Sequence, residues 1–127
     1  MSLSFSLLPQ SYAIARLSPD ATPPDAVINA NGFFSISRTN DELSIVCAEN
    51  LAQGFSQVDR GWSVLKIHGP FAFDQVGILI SILNPLAAAS VGIFAVSTYD
   101  TDYILIKTDN LDRAVASLIA AGHAYLK

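Results

Sequence analysis

Two neighbouring aspartates, Asp100 and Asp102, are the residues of this sequence whose type and spacing first suggest chemistry. They lie in the stretch STYDTDYILI, residues 97–106, where hydroxyl side chains precede a run of strand-forming residues. Carboxylates at this spacing can bind a hard cation such as Mg²⁺, although a magnesium site needs further oxygen ligands or substrate phosphates. They can equally form one wall of a ligand site or be solvated residues of a polar hairpin turn. The pattern alone leaves these three alternatives open.

A glycine near the predicted start of a helix is the second informative feature. Gly77 follows Asp74, a plausible N-cap, in a segment that continues with apolar residues at helical spacing: Val76, Leu79, Ile80, Leu83 and Leu86. Glycine inside a helix costs about 0.5 to 1 kcal/mol relative to alanine, so close packing on a sheet or a ligand near the backbone would explain its presence. The N–H groups of a helix start suit a carboxylate. The aspartates would suit an ammonium group. Together, the helix start and the aspartates complement the carboxylate and the ammonium group of a free amino acid.

A weak internal repeat predicts the elements that carry these residues. GFFSISRTNDELSIVCAEN from Gly32 aligns with GIFAVSTYDTDYILIKTDN from Gly92 at an offset of 60, which places Asp102 over Glu42. Upstream, YAIARLS from Tyr12 aligns with WSVLKIH from Trp62 at an offset of 50, so the second copy has ten more residues between these segments. Those residues allow a helix, whereas the first copy has three prolines there and room for a short turn of helix at most.

The second copy has the clearest element order. It predicts, in order, a strand from Trp62, the helix containing Gly77, two strands, a helix over DNLDRAVASLIAAG and a final strand at HAYLK. Asp109 would be the N-cap of the last helix, and Gly122 would end it. This order is the split βαβ, or ferredoxin-like, arrangement. We therefore expect an α+β fold of tandem ferredoxin-like modules with antiparallel sheets: a degenerate module over residues 1–61 and a full one over residues 62–127.

Composition and charge narrow the classes of function. Of 127 residues, 51% are hydrophobic, only 14% are charged and the net charge is −4, which argues against binding to nucleic acid or to an anionic membrane surface. A single cysteine, Cys47, fits a buried position in a cytoplasmic protein, with no disulfide and no cysteine-based metal site. His68 and His123 adjoin no nucleophile motif and fit surface or capping positions. No catalytic residue and no cofactor are predicted.

Residues 69–123 resemble an ACT domain, through the motifs FDxxGI, PLAAA and STYDTDYILI. More narrowly, they are similar to the modules of the CASTOR-type arginine sensors, to small bacterial relatives and to the regulatory tail of aspartate kinases, and the first half resembles a degenerate first module of the same proteins. The resemblance implies tandem βαββαβ modules, no catalysis and a ligand held at an interface between ACT units.

The resemblance also implies a set of ligand-binding residues. The loop and helix start would contribute Phe73, Asp74, Gln75, Gly77 and Ile78. The strand corner would contribute Thr98, Tyr99 and Asp102, while Gly92 and Ile93 would offer backbone groups from a facing module. The arginine sensors have a glutamate where this chain has Gln75, which leaves the side-chain specificity open. Because the chain has one full motif where the animal sensors have two, a paired site implies a homodimer.

The leading interpretation is a non-catalytic regulatory protein that binds a free amino acid and acts on a separate partner. One alternative is an interaction module that dimerises without retaining a ligand. The other is an Mg-dependent enzyme that uses Asp100 and Asp102.

Overall fold

The structure is a computed structural model and describes residues 2–69 and 77–127. Its elements in chain order are β1 Ser4–Leu7, β2 Tyr12–Leu17, α1 Asp25–Ile28, β3 Ser35–Arg38, β4 Leu43–Ala48, β5 Val58–Ile67, α2 Ile78–Ala88, β6 Ile93–Ser97, β7 Asp102–Lys107, α3 Leu111–Ala120 and β8 Ala124–Leu126. Short 3-10 turns follow β4 and β7. The predicted α+β class with mainly antiparallel strands is confirmed.

The chain forms two compact units. Gln10–Trp62 is one of them, and the other combines the segment up to Pro9 with Ser63–Lys127. The predicted first module covered residues 1–61, so the structure differs by grouping the N-terminal segment with the C-terminal unit. In the Gln10–Trp62 unit the only α-helix is the four-residue α1, as the prolines predicted. Its sheet joins β3, β4, β2 and the first residues of β5.

The C-terminal unit has the predicted order β5, α2, β6, β7, α3 and β8, with one added strand. β1 lies between β5 and β8: Phe5 pairs with Ile67 in an antiparallel ladder and with Tyr125 in a parallel one. On the other side of β5 follow β7 and then β6. The sequence reasoning did not predict β1, because a four-residue strand carries no signal about its partners.

Both helices of the C-terminal unit cover one face of this sheet. In α2 the fully or nearly fully buried residues are Ile78, Ile82 and Leu86. The predicted stripe is correct for Leu86, while Leu79 and Leu83 only pack against the core and Ile80 is 57% exposed. Val76 lies outside the described residues. The strands contribute the rest of this core: Phe5, Leu65, Ile67, Ile104 and Ile106.

The last helix ends as predicted but begins one residue later. Asn110, and not Asp109, occupies the N-cap position of α3. At the other end Gly122 has φ +99°, its N–H donates to the carbonyl of Ile119 at 2.9 Å, and the N–H of His123 donates to Leu118 at 3.0 Å. These two bonds form a Schellman motif, which requires the left-handed conformation that glycine adopts without strain.

The internal repeat is real in the hairpins, but its register differs from the aligned sequences. Arg38 faces Leu43 across the first hairpin, and Ser97 faces Asp102 across the second. The structural offset is therefore 59 residues, from Leu43 to Asp102, and the predicted equivalence of Asp102 with Glu42 is wrong. A shift of one residue moves side chains to the opposite face of a sheet.

The N-terminal strand provides a test of this arrangement. Phe5 is fully buried and stacks on Tyr125 with ring centroids 5.1 Å apart, whereas Leu7 in the same strand is 37% exposed. We expect Phe5→Ala to lower the free energy of unfolding by about 3 to 5 kcal/mol and Leu7→Ala by well under half of that. Urea denaturation measures both. Equal effects would show that β1 is not part of the core.

Cys47 provides a second test. It is fully buried in β4, and burial raises the pKa of its thiol, while the nearby Arg60 guanidinium lowers it by a smaller amount. The thiolate is the reactive form, and a raised pKa keeps the thiol protonated to higher pH. We expect alkylation at neutral pH to be slower in the folded protein than in urea, because burial both excludes the reagent and keeps the thiol protonated. Rapid native labelling would contradict this burial.

Candidate functional site

The polar corner between β6 and β7 is a tight turn closed by hydrogen bonds between Thr98 and Thr101. The N–H of Thr98 donates to the carbonyl of Thr101 at 2.8 Å. The Thr98 hydroxyl donates to the same carbonyl at 3.0 Å and accepts the Thr101 N–H at 3.3 Å. The hydroxyl of Thr98 is therefore committed to holding the turn, which fits a positioning role better than a ligand contact.

Thr101 fixes the corner to the rest of the sheet. Its side chain is only 6% exposed, and its hydroxyl donates to the carbonyl of Ile67, the last residue of β5. The corner therefore lies at the end of β5 from which the chain continues towards α2.

The two aspartates occupy different positions in this corner. Asp100 is an exposed turn residue, whereas Asp102 is the half-buried first residue of β7 and accepts a hydrogen bond from the Ser97 hydroxyl. Same-side orientation, expected if both lay in an extended strand, therefore does not apply. Within residues 2–69 and 77–127, no three His, Cys, Asp or Glu side chains are grouped as ligands of one metal ion would be.

Tyr99 lies in the turn between Ser97 and Asp102. Its side chain is 80% exposed, the highest value among the large apolar and aromatic residues of the described chain. An aromatic ring at the tip of a hydrogen-bonded turn has a fixed backbone and an accessible face, which would allow it to contact a ligand.

Gly77 occupies the N-cap position of α2 with φ +83°, a conformation that favours glycine. A Cβ atom there would lie 3.9 Å from the nearest atom, Cγ2 of Ile80, so close packing does not require the glycine. The predicted N-cap Asp74 is replaced by Gly77, which has no side chain to accept the first amides of the helix. Ile78 begins the helix and is 8% exposed, so it can offer its backbone N–H but little side-chain surface.

The remaining predicted residues fall into two groups. Phe73, Asp74 and Gln75 lie outside the described residues. Gly92 is exposed and directly precedes β6, and Ile93 is the first residue of that strand. Ile93 and Ser97 are four residue steps apart along β6, which is about 13 Å. The structure therefore does not bring Gly92 and Ile93 to the corner within one chain.

Sequence reasoning missed three polar residues at this end of the sheet. Thr101 and Ser97 hold the corner, and the His68 imidazole lies one residue beyond β5, with Nε2 2.8 Å from the Ser6 hydroxyl. Their positions at strand ends were the available signal, and Ser97 and Thr101 each adjoin a selected residue. A further polar cleft of about 310 Å³, lined by Gln10, Ser11, Glu49 and Asn50, lies in the Gln10–Trp62 unit and contains no predicted residue.

The order β5-α2-β6-β7-α3-β8, with both helices on one face of a mainly antiparallel sheet, defines the C-terminal unit as a ferredoxin-like α+β module. The family model for the ACT domain matches residues 57–120, half of the chain, and a second model for an N-terminal domain matches residues 10–52. The chain belongs to the ACT domain family.

Its curated relatives include the human protein named cytosolic arginine sensor for mTORC1 subunit 1, which is 30% identical over 116 residues. That match covers 85% of this chain and 34% of the human protein, so the chain spans about a third of the relative's length.

No helix in the described part of the chain is long and apolar enough to cross a membrane.

Solved structures agree with the fold. Protein Atu0741 from Agobacterium tumefaciens is 43% identical, with a TM-score of 0.92, and the match covers 99% of this chain and 93% of that one. The regulatory subunit of aspartate kinase from Thermus thermophilus is 10% identical with a TM-score of 0.63, over 92% and 95% of the two chains, and shows the fold alone. The predicted relation to ACT proteins is confirmed.

The two threonines of the corner provide a matched test of its construction. Thr101→Val leaves the Ile67 carbonyl without its hydroxyl donor in a buried place, so we expect a loss of about 1 to 3 kcal/mol of unfolding free energy. Thr98→Val removes a hydroxyl from an exposed place where water can substitute, and we expect less than about 1 kcal/mol. Urea denaturation of the two variants decides; a larger effect of Thr98→Val would contradict the anchoring role of Thr101.

Proposed function

We propose that this chain is a regulatory ACT protein that binds a free amino acid at an interface between ACT units and has no catalytic activity of its own. The observation that carries the proposal is the bond from the Thr101 hydroxyl to the Ile67 carbonyl. It holds a carboxylate, Asp102, and an exposed aromatic ring, Tyr99, at the end of the sheet from which the chain leads to the start of α2.

The chemistry of these groups is complementary to an amino acid. α2 has eleven residues and begins after a glycine, so its first amides and its dipole can interact with a ligand carboxylate. Asp102 has a second carboxylate oxygen besides the one that accepts from Ser97, and that oxygen can accept a ligand ammonium group. Phe73, Asp74, Gln75, Gly77, Ile78, Tyr99 and Asp102 form this proposed half of the site, and Thr98 holds the turn that positions Tyr99 and Asp102.

Gly92 and Ile93 would complete the site from a second copy of the chain. They lie at the opposite end of β6 from the corner, so they can face a ligand only across an interface. The proposal therefore includes a homodimer and a separate protein on which it acts. The human relative's name supports an amino acid as the ligand and a cytoplasmic location, while Gln75, neutral where the arginine sensors have glutamate, argues for a side chain other than that of arginine.

A thermal-shift screen against the twenty common amino acids tests this function. A ligand at about one hundred times its Kd adds about 2.7 kcal/mol to the stability of the folded state. We expect one amino acid, or a few related ones, to raise Tm by several degrees and to bind in calorimetry. The absence of any response at millimolar concentrations would contradict amino-acid binding and favour an interaction module.

The two aspartates give the matched control. Asp102→Asn removes the charge but keeps an acceptor for Ser97, and we expect affinity to fall about 10- to 100-fold, the range for a hydrogen bond to a charged group. Asp100→Asn changes the same charge on the exposed turn and should leave affinity within about twofold. Equal effects would remove Asp102 from the site.

Sedimentation with and without the ligand tests the dimer, since a monomer that binds equally well would contradict a shared site.

A further inference from the structure

A proline inside α2 leaves one backbone carbonyl without its usual partner. In an α-helix the N–H of residue 85 would donate to the carbonyl of Ser81, but residue 85 is proline and has no N–H. A carbonyl without a donor is costly in a buried place. Here the Nε2 atom of His123 lies 2.9 Å from the Ser81 carbonyl oxygen and replaces the missing amide.

The second ring nitrogen of His123 has an equally specific partner. The backbone N–H of Leu3 donates to Nδ1 at 3.1 Å, in a buried place. A carbonyl can only accept and an amide N–H can only donate, so Nε2 must carry the proton and Nδ1 must be bare. The ring is 5% exposed, and the Schellman motif after α3 fixes its backbone. The geometry therefore accepts only neutral histidine, in one tautomer.

We infer that His123 is a pH-sensitive bridge that couples the N-terminal strand to the first turns of α2. The bridge consists of the two hydrogen bonds from His123, to Leu3 and to Ser81. Protonation of Nδ1 would place a donor against the Leu3 N–H and break that bond, so the bridge is present at neutral pH and is lost as the pH falls. Ser81 also donates its hydroxyl to the Ile78 carbonyl at 2.7 Å, which links the bridge to the first residue of α2.

In the part of the chain that the structure describes, the charged groups of the elements packed against His123 offer protonated histidine no substitute partner. β1 and α2 contain no ionisable side chain. α3 carries Asp112 and Arg113 only in its first turn, at the end far from His123. β8 contributes Tyr125, followed by Lys127, whose Nζ lies 5.9 Å from the Tyr125 ring centroid. From β5 come Lys66 and the following His68, which are basic.

His68 is the natural control, because it also contacts β1 but with a different chemistry. Its Nε2 lies 2.8 Å from the Ser6 hydroxyl, which can either donate or accept. Protonated His68 can therefore keep this bond by donating to the hydroxyl. The same change of charge is disruptive at His123 and tolerated at His68.

The bridge bears on ligand binding, and this consequence rests on the proposed function. α2 begins at the proposed carboxylate subsite, so loosening its first turns at acid pH would weaken the amino-acid response. Hydrogen exchange and histidine NMR use the protein without ligand. They therefore test the bridge separately from the failure or success of the amino-acid screen.

Hydrogen exchange of the untagged protein at about pH 7.5 and about pH 5.5, which bracket the range where histidine changes charge, tests the bridge. After correction for intrinsic exchange rates, we expect protection of residues 2–8 and of the first turn of α2 to fall at least about fivefold at the lower pH, the factor for one lost hydrogen bond. The β4 segment serves as the internal reference. In His123→Gln, an amide that accepts and donates at any pH, this dependence should vanish, while His68→Gln should retain it.

Two measurements can overturn the inference. In hydrogen exchange, unchanged protection of the N-terminal segment between the two pH values in the natural protein, or persistence of the loss in His123→Gln, would do so. The second measurement is the ¹⁵N spectrum of the His123 ring at about pH 7.5, for which we expect a protonated Nε2 and a bare Nδ1. The opposite tautomer, or a ring already charged, would exclude the bridge even if the variant failed to fold.

Discussion

The pairing of β1 with β5 and β8 is the constraint on which the C-terminal unit depends. Four residues near the start of the chain separate the first and last strands of the module, so the sheet is complete only when both ends of the sequence are in place. Phe5 is fully buried from this strand, and Leu3 N–H and Ser2 Oγ bond to His123 and Gly122, residues 120 positions away. Contacts between residues so distant in sequence raise the contact order of the module, which slows folding.

Local signals predicted the elements well, and distant pairings poorly. The helical spacing of α3 and its glycine stop, the proline-limited α1 and the two hairpins all followed from residues close in sequence. The register of the repeat did not, because both hairpins contain strands buried on both faces. Ile104, Leu105 and Ile106 are all fully buried, as are Ile45 and Cys47, with Val46 nearly so. Where every position is apolar, alternation cannot distinguish an offset of 59 from one of 60.

In the candidate site, too, the sequence indicated the residue types but not their hydrogen-bond partners. The sequence singled out the corner because its residues are polar, but it could not say which of them were already bonded. Thr98 is occupied by its own turn, Thr101 is directed into the sheet, and Asp102 keeps one oxygen free of the Ser97 bond. The sequence also singled out Gly77 by its residue type. The structure favours glycine there because the φ angle is positive, and not because space for a side chain is lacking.

Two buried polar side chains, Thr101 and His123, perform the same physical task on the two sides of this site. Each satisfies a backbone carbonyl from another element, that of Ile67 at the end of β5 and that of Ser81 in α2. A buried hydroxyl or imidazole with defined partners fixes an orientation that apolar packing alone would leave adjustable. The two side chains differ in chemistry, because the threonine hydroxyl carries no charge at any pH whereas the two hydrogen bonds of His123 require a neutral ring. We therefore infer that the helix side of the candidate site is the side that proton concentration can regulate.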